Sequence, residues 1–258
     1  MQLGYLVPHP PNLLESEQEG ERLETIDALE AAGREIREAG IDVLLVASAH
    51  WQTAGPFFID ASERHHSLTD YFGFSVEVDY ECPGDPDLAK ALMSQAGESD
   101  LMADCVWGRG IDHGVSVPLH FMIPEMDIPV VPLSVSTRPP EECIAWGQTL
   151  SKTLDSHGRK GAFIASSSVS HRMPEIARPQ AASRYRQFED MVIGAMKNGS
   201  TQELLEIDSE LIEDAEPEGG LRDVLALMGA VGESATGSLM SYESFYGLGF
   251  ATMRLAAE

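Results

Sequence analysis

Basic residues are scarce in this chain of 258 residues: 17 Lys and Arg stand against 42 Asp and Glu, a formal net charge of −25. So acidic a surface repels phosphate backbones and anionic headgroups, so neither nucleic acid nor a membrane is an expected partner. Cysteine is sparse too. Cys82, Cys105 and Cys143 are odd in number, widely spaced and without any Cys-x-x-Cys, which argues against a disulfide framework and against a zinc ribbon and fits a reducing cytoplasm. No apolar run approaches the length of a bilayer span, and the opening MQLGYLVPHPPNLLESEQEG lacks a basic segment and is cut by prolines. A soluble, unexported, cytoplasmic protein is the expectation. Repeats, low-complexity tracts and linkers are also lacking, so residues 1–258 read as one domain, long enough at 43% hydrophobic content to bury a large core.

What is present alternates between two periodicities. QLGYLV reads as a strand stopped by PHPPN, and the stretch from Ser16 to Gly40 carries apolar residues at helical spacing up to a glycine. IDVLLVAS and GPFFID read as strands, and DPDLAKALMSQAGE as a helix with Asp85 as its N-cap. IPVVPLSVS reads as a strand, PPEECIAWGQTLSKTLDSHG as a helix opened by prolines and closed by glycine, and GAFIASSSVSH as a strand running into polar residues. Helical segments at 182–199, 201–207 and 221–233 then precede a tail of strand character, SLMSYESFYGLGFATMRL. The implied fold class is α/β, with a mostly parallel central sheet flanked by helices.

Histidines punctuate this pattern. His9 follows the first strand, His50 follows IDVLLVAS, His171 follows GAFIASSS, and His113 sits in GRGIDHGVSVPL ahead of a helix. Loops beyond the carboxyl ends of parallel strands converge on one edge, where ligands bind, so the strand-end histidines are expected to share a crevice. Each alone has an ordinary packing explanation. A metal accounts for the set, because neutral imidazole is a common ligand for Fe, Zn and Cu and ligands from separate loops leave coordination positions open. Two histidines need a carboxylate beside them. Glu243, in SYESFYGLGF, lies in an apolar stretch where burial of a carboxylate requires a cation, although an edge strand pointing it to solvent accounts for it equally well. Arg172 either attracts a substrate carboxylate or is an ordinary surface arginine. His65, His66, His120 and His157 are assigned to structure or solvent, and Trp51 to packing.

Several segments in this order carry a family resemblance: VPHPPNLL, LLVASAHW, TDYFGFSVEVDYECPGDPDLAKAL, WGRGIDHGVSVPL with DIPVVPLSVS, and FIASSSVSHRM. Together they resemble the class III extradiol ring-cleaving dioxygenases, the family of the protocatechuate 4,5-dioxygenase catalytic subunit and of the DOPA dioxygenase type. The resemblance implies a non-haem Fe(II) site, with zinc as a substitute in a purified sample, held by His9, His50 and Glu243, with Glu233 as the alternative carboxylate. It implies His171 as general base and His113 as the histidine that contacts substrate or oxygen. The substrates implied are a small aromatic diol or 2-aminophenol and O2, both oxygen atoms entering the opened ring. The expected assembly is a homodimer or higher homo-oligomer, with or without a small partner subunit. Two other readings stay open: a non-catalytic, Memo-like protein that binds a metal or a phosphopeptide, and a zinc-dependent hydrolase on a related scaffold.

Overall fold

Strand alternation divides the buried side chains into two cores. In the computed structural model, which describes residues 1, 3–172 and 182–257, the first strand is β1 (Leu3–Val7), followed by α1 (Asn12–Glu19), α2 (Glu24–Glu38), β2 (Val43–Thr53) and β3 (Phe57–Asp60). Two short strands, β4 (Arg64–His66) and β5 (Glu81–Pro83), precede α3 (Pro86–Glu98), β6 (Ala103–Val106), α4 (His113–Met122), β7 (Val130–Ser136), α5 (Pro140–Ser156) and β8 (Gly161–Ser166). The remainder comprises α6 (Arg186–Asn198), α7 (Thr201–Leu205), α8 (Ser209–Ala215), α9 (Arg222–Val231), β9 (Ala235–Phe245) and β10 (Leu248–Ala257). Eight strands form one sheet in the order β6-β3-β7-β2-β8-β1-β10-β9, while β4 and β5 pair separately.

The centre of the sheet, β7-β2-β8-β1, is wholly parallel. Antiparallel pairings join β10 to β1, β9 to β10 and β3 to β7, and β6 runs parallel to β3. The expected single α/β domain with a mostly parallel sheet flanked by helices is observed. Successive strand residues face opposite layers, as the two-residue period requires. Leu6, Leu45, Phe163 and Ala165 meet Leu88 of α3, Trp146 and Leu150 of α5, Val192 of α6 and Leu227 of α9. Tyr5, Val7, Leu44, Val46 and Ile164 meet Leu13 of α1, Leu29 and Ile36 of α2 and Leu119 of α4. Trp146 stacks on Phe57 with ring centroids 5.0 Å apart. No described helix is long and apolar enough to cross a membrane.

Local chemistry redraws several expected boundaries. The helical stretch read from Ser16 to Gly40 is two helices, because Gly20 adopts φ 75° and ends α1. The tail is a hairpin: Tyr246 and Gly247 both take positive φ, 57° and 82°, the conformation of a tight turn matched to strand twist. The loop PHPPN is shorter than expected, since α1 already begins at Asn12.

Candidate metal centre

The central strands deliver histidines to one end of the sheet. His9 lies two residues past β1, and its Nδ1 is 2.9 Å from Ser166 Oγ at the end of the neighbouring β8. The Ser166 hydroxyl donates to the Gly114 carbonyl. Its oxygen is therefore left to accept, so His9 carries its proton on Nδ1 and turns Nε2 inward. His50 owes its direction to an irregularity: pairing of β2 with β7 slips between Ser48 and Gln52, and such bulges re-aim side chains beside sites. The His50 amide donates to Ser48 Oγ at 3.2 Å, and the Ser48 hydroxyl donates to Asp112 Oδ1 at 2.6 Å.

Asp112 precedes α4, yet its carboxylate makes no capping bond to that helix. It is taken by Ser48 and by Arg109, whose Nη2 donates at 2.7 Å while its guanidinium lies 4.4 Å over the Trp51 ring. His113 opens α4 and receives the Asp70 carboxylate at its ring Nδ1, 2.9 Å away. Gly114 must lack a side chain here, because a Cβ would sit 2.3 Å from Ser48 Oγ. His171 follows the polar run after β8, and its amide donates to the Ala215 carbonyl at 3.0 Å.

These four histidines converge. One ring nitrogen from each of His9, His50 and His113 lies within 4.8 Å of the others, and His9 Nε2 is 3.0 Å from His50 Nε2. The carboxylate that joins them is Glu218, missed in the sequence. Its Oε2 is 3.5 Å from His9 Nε2, and its Oε1 is 3.7 Å from both His50 Nε2 and His171 Nε2. Glu218 opens a 3-10 turn over Glu218–Leu221 in which Gly219, Gly220 and Leu221 all have φ near +60°. That turn fixes the carboxylate ahead of α9, and the Ser168 amide donates to its Oε2 at 2.6 Å. PEGG before a helix is the one local signal that would have found it.

Glu243 lies elsewhere. It sits on β9 opposite Phe250, and its Oε2 accepts from the Thr25 amide at 2.8 Å, so it serves the amino terminus of α2. The expectation that it would meet the histidines is corrected. An aromatic, apolar sequence setting says nothing about which loop a strand residue faces. Glu233 is exposed beyond the end of α9. Arg172 is drawn to the Asp214 carboxylate and carbonyl at 3.0 Å. Of the remaining histidines, His120 and His157 bond to Glu17 and to the Thr153 carbonyl, while His65 is wholly buried, 3.8 Å from Asp60.

Electrostatics reflect the crowding. Burial and the neighbouring His9 and His113 push His50 down to about 4. Burial opposes charge on His9 as well, but the Glu218 carboxylate outweighs it and holds His9 above its ordinary value. For Glu218, burial is outweighed by His9, His171 and His50, and its carboxyl falls far below the usual range. Burial pushes the Asp223 carboxyl up to about 6, although the Ser167 hydroxyl donates to it. A carboxylate only 8% exposed among three imidazoles demands a shared cation, whether proton or metal. Separations of 3.0–3.7 Å match the edge expected of ligands about 2.1 Å from one ion. The N,N,O donor set therefore fits a divalent transition metal.

Comparison with known proteins extends the geometry. The chain is 24% identical over 98% of its length to protein CA_C1420 of Clostridium acetobutylicum, of which it spans 57%. It is 29% identical over 78% of its length to a 4,5-DOPA dioxygenase extradiol of Beta vulgaris, covering 81% of that protein. It spans only about half of the length of some curated relatives, 48% for dioxygenase tasH of Hapsidospora irregularis. The crystal structure of the uncharacterized protein JW3007 from Escherichia coli K12 has the same fold, with a TM-score of 0.72 at 20% identity and coverage of 98% and 99% of the two chains. Residues 3–255 match the family described as the catalytic LigB subunit of aromatic ring-opening dioxygenase. This chain belongs to that family.

Proposed function

We propose that the chain is an Fe(II)-dependent extradiol dioxygenase that opens the ring of a catechol or 2-aminophenol with O2. The observation that carries the reading is the meeting of His9, His50, His113 and His171 with the buried Glu218. His9, His50 and Glu218 would hold the ion. Bound Fe(II) would supply adjacent open positions at which a diol and O2 become neighbours. The protein does the rest. Ser166 fixes the tautomer of His9, and Asp112 acting through Ser48 fixes the backbone at His50. His171 lies beside Glu218 and would take a phenolic proton and return it, a task suited to imidazole near neutrality. His113 faces the same space and contacts substrate or O2. Relatives named as DOPA, 3,4-dihydroxyphenylacetate and 2-aminophenol dioxygenases support a dihydroxy- or aminophenolic substrate class.

The test is anaerobic loading with Fe(II), metal analysis, and an oxygen electrode with a panel of diphenols and 2-aminophenols. Oxygen uptake with a coloured ring-opened product is expected. Absence of uptake across the panel by fully loaded protein would overturn the proposal. The three-imidazole set His9, His50 and His113 also suits zinc, so ester or amide cleavage by a zinc-loaded sample is the outcome that would favour a hydrolase.

A further inference from the structure

The segment between β4 and β5 contains the TDYFGF stretch, whose aspartate has no part in the mechanism above. Asp70 reaches across 43 positions in sequence to the start of α4. Both its oxygens accept from the His113 amide, at 3.2 and 3.1 Å, and Oδ2 is 2.9 Å from the ring Nδ1. The first amides of a helix have no intrahelical partner. Because Asp112 is committed to Ser48 and Arg109, α4 is capped from a distant loop instead.

That loop is fastened on both sides of Asp70. The Leu68 amide donates to the Ile111 carbonyl at 2.8 Å, and the Ile111 amide returns a bond to the His66 carbonyl at 3.0 Å. Beyond Asp70, the Tyr71 hydroxyl is 2.7 Å from Ser116 Oγ on α4, and the Tyr80 hydroxyl donates to the Ile123 carbonyl at 2.8 Å. The carboxylate is thereby set in relation to the helix that carries His113. An ionised carboxylate only accepts, so a ring nitrogen bonded to it must carry a proton.

We infer that Asp70 is a positioning residue that locks His113 in the Nδ1–H tautomer, so that the bare Nε2 lone pair is the atom offered to the site. The ring then presents an acceptor towards His9 and His50, whose centroids lie 5.5 and 4.0 Å away. With the opposite tautomer it would present an N–H, which neither accepts a proton nor approaches a cation. The inference holds whether His113 meets substrate or the ion. Its kinetic consequence alone rests on the proposed function.

The decisive variant is Asp70→Asn, which keeps the shape. Its one carbonyl oxygen is drawn to the His113 amide, leaving an NH2 group against Nδ1 and forcing the proton to Nε2, as an Asp-to-Asn change beside a catalytic histidine is known to do. The readout is long-range nitrogen–proton NMR of the imidazoles in the metal-free full chain at pH about 8, with His113→Gln identifying the resonance. The expected result is the Nδ1–H form in the parent chain and the Nε2–H form in Asp70→Asn, with thermal unfolding showing that the variant folds. With Fe(II) loaded, kcat should fall about 10- to 100-fold with metal content unchanged and KM moved far less. An Nε2–H or mixed His113 in the parent, or an unchanged tautomer in Asp70→Asn, would overturn the inference. So would a switched tautomer with undiminished kcat. If the tautomer switches but the parent consumes no oxygen with any diphenol, the proposed reaction fails and the role of Asp70 stands.

Discussion

At the scale of single residues, the buried Glu218 carboxylate must be neutralised by what surrounds it. Its neighbours are imidazoles, and a metal bound there replaces protons that would otherwise hold the cluster together. Glu218→Gln removes the charge while keeping the shape, so divalent-metal affinity should fall at least about tenfold in a chelator competition. Glu243→Gln should leave affinity unchanged and cost at most about 1 kcal/mol through the amino terminus of α2. Metal loss from the second variant alone would reverse the assignment. Protons compete with metal, and the sign follows from the histidines. The Glu218 carboxylate holds His9 above its ordinary value, so it takes up a proton at higher pH than a free imidazole does and must lose that proton to bind an ion. His50, at about 4, stays neutral at such pH. Apparent affinity should therefore weaken by about tenfold per pH unit as pH falls through the value of His9, reflecting one proton, and more steeply only near pH 4. Calorimetry in buffers of different ionisation heat counts that proton. His9, His50 and His171 could be read from the sequence because each comes at the end of an unmistakable apolar run, although His50 lies within the extended β2 and His113 opens α4. Glu218 left only the glycine pair of PEGG as a signal, since its place depends on three left-handed residues in a short turn, a property carried by backbone angles and not by periodicity.

Among elements, α5 and α9 approach so closely that glycine is required on each. A Cβ at Gly147 would lie 1.9 Å from the Ala226 carbonyl oxygen, and one at Gly229 would lie 2.2 Å from that of Ile144. Backbone cannot yield as a flexible side chain does. Gly147→Ala should thus destabilise by about 1–3 kcal/mol through overpacking, lowering the urea midpoint with little change in slope. Because α9 directly follows the turn bearing Glu218, metal affinity should weaken with it. A neutral substitution would mean that the helices slide apart freely. The long elements here were legible, since α5 and the parallel strands carry patterns of many residues. The short ones were not: β4, β5 and β6 have three or four residues each, too few to establish a period. The hairpin of β9 and β10 was hidden because apolar residues continue through its turn.

For the whole molecule, the −25 charge sets a contest between attraction and repulsion. Surface pairs such as Arg37 with Asp127 and Arg254 with Glu35 weaken as salt is added, but exposed pairs are worth about 0–1 kcal/mol each. Only 17 cations face 42 acids, so the acids are in large excess, and their mutual repulsion opposes the compact state. Raising monovalent salt from about 0.05 M to about 1 M shortens the screening length from more than 10 Å to about 3 Å. Repulsion summed over many distant acids is lost across that range, whereas the few close pairs lose less. The melting temperature of the metal-free chain should therefore rise with KCl, by several degrees for a relief of about 2 kcal/mol in a domain of this size. Calorimetry across a KCl series checks the sign directly. A falling melting temperature would mean that the ion pairs, and not the excess of acid, dominate the field.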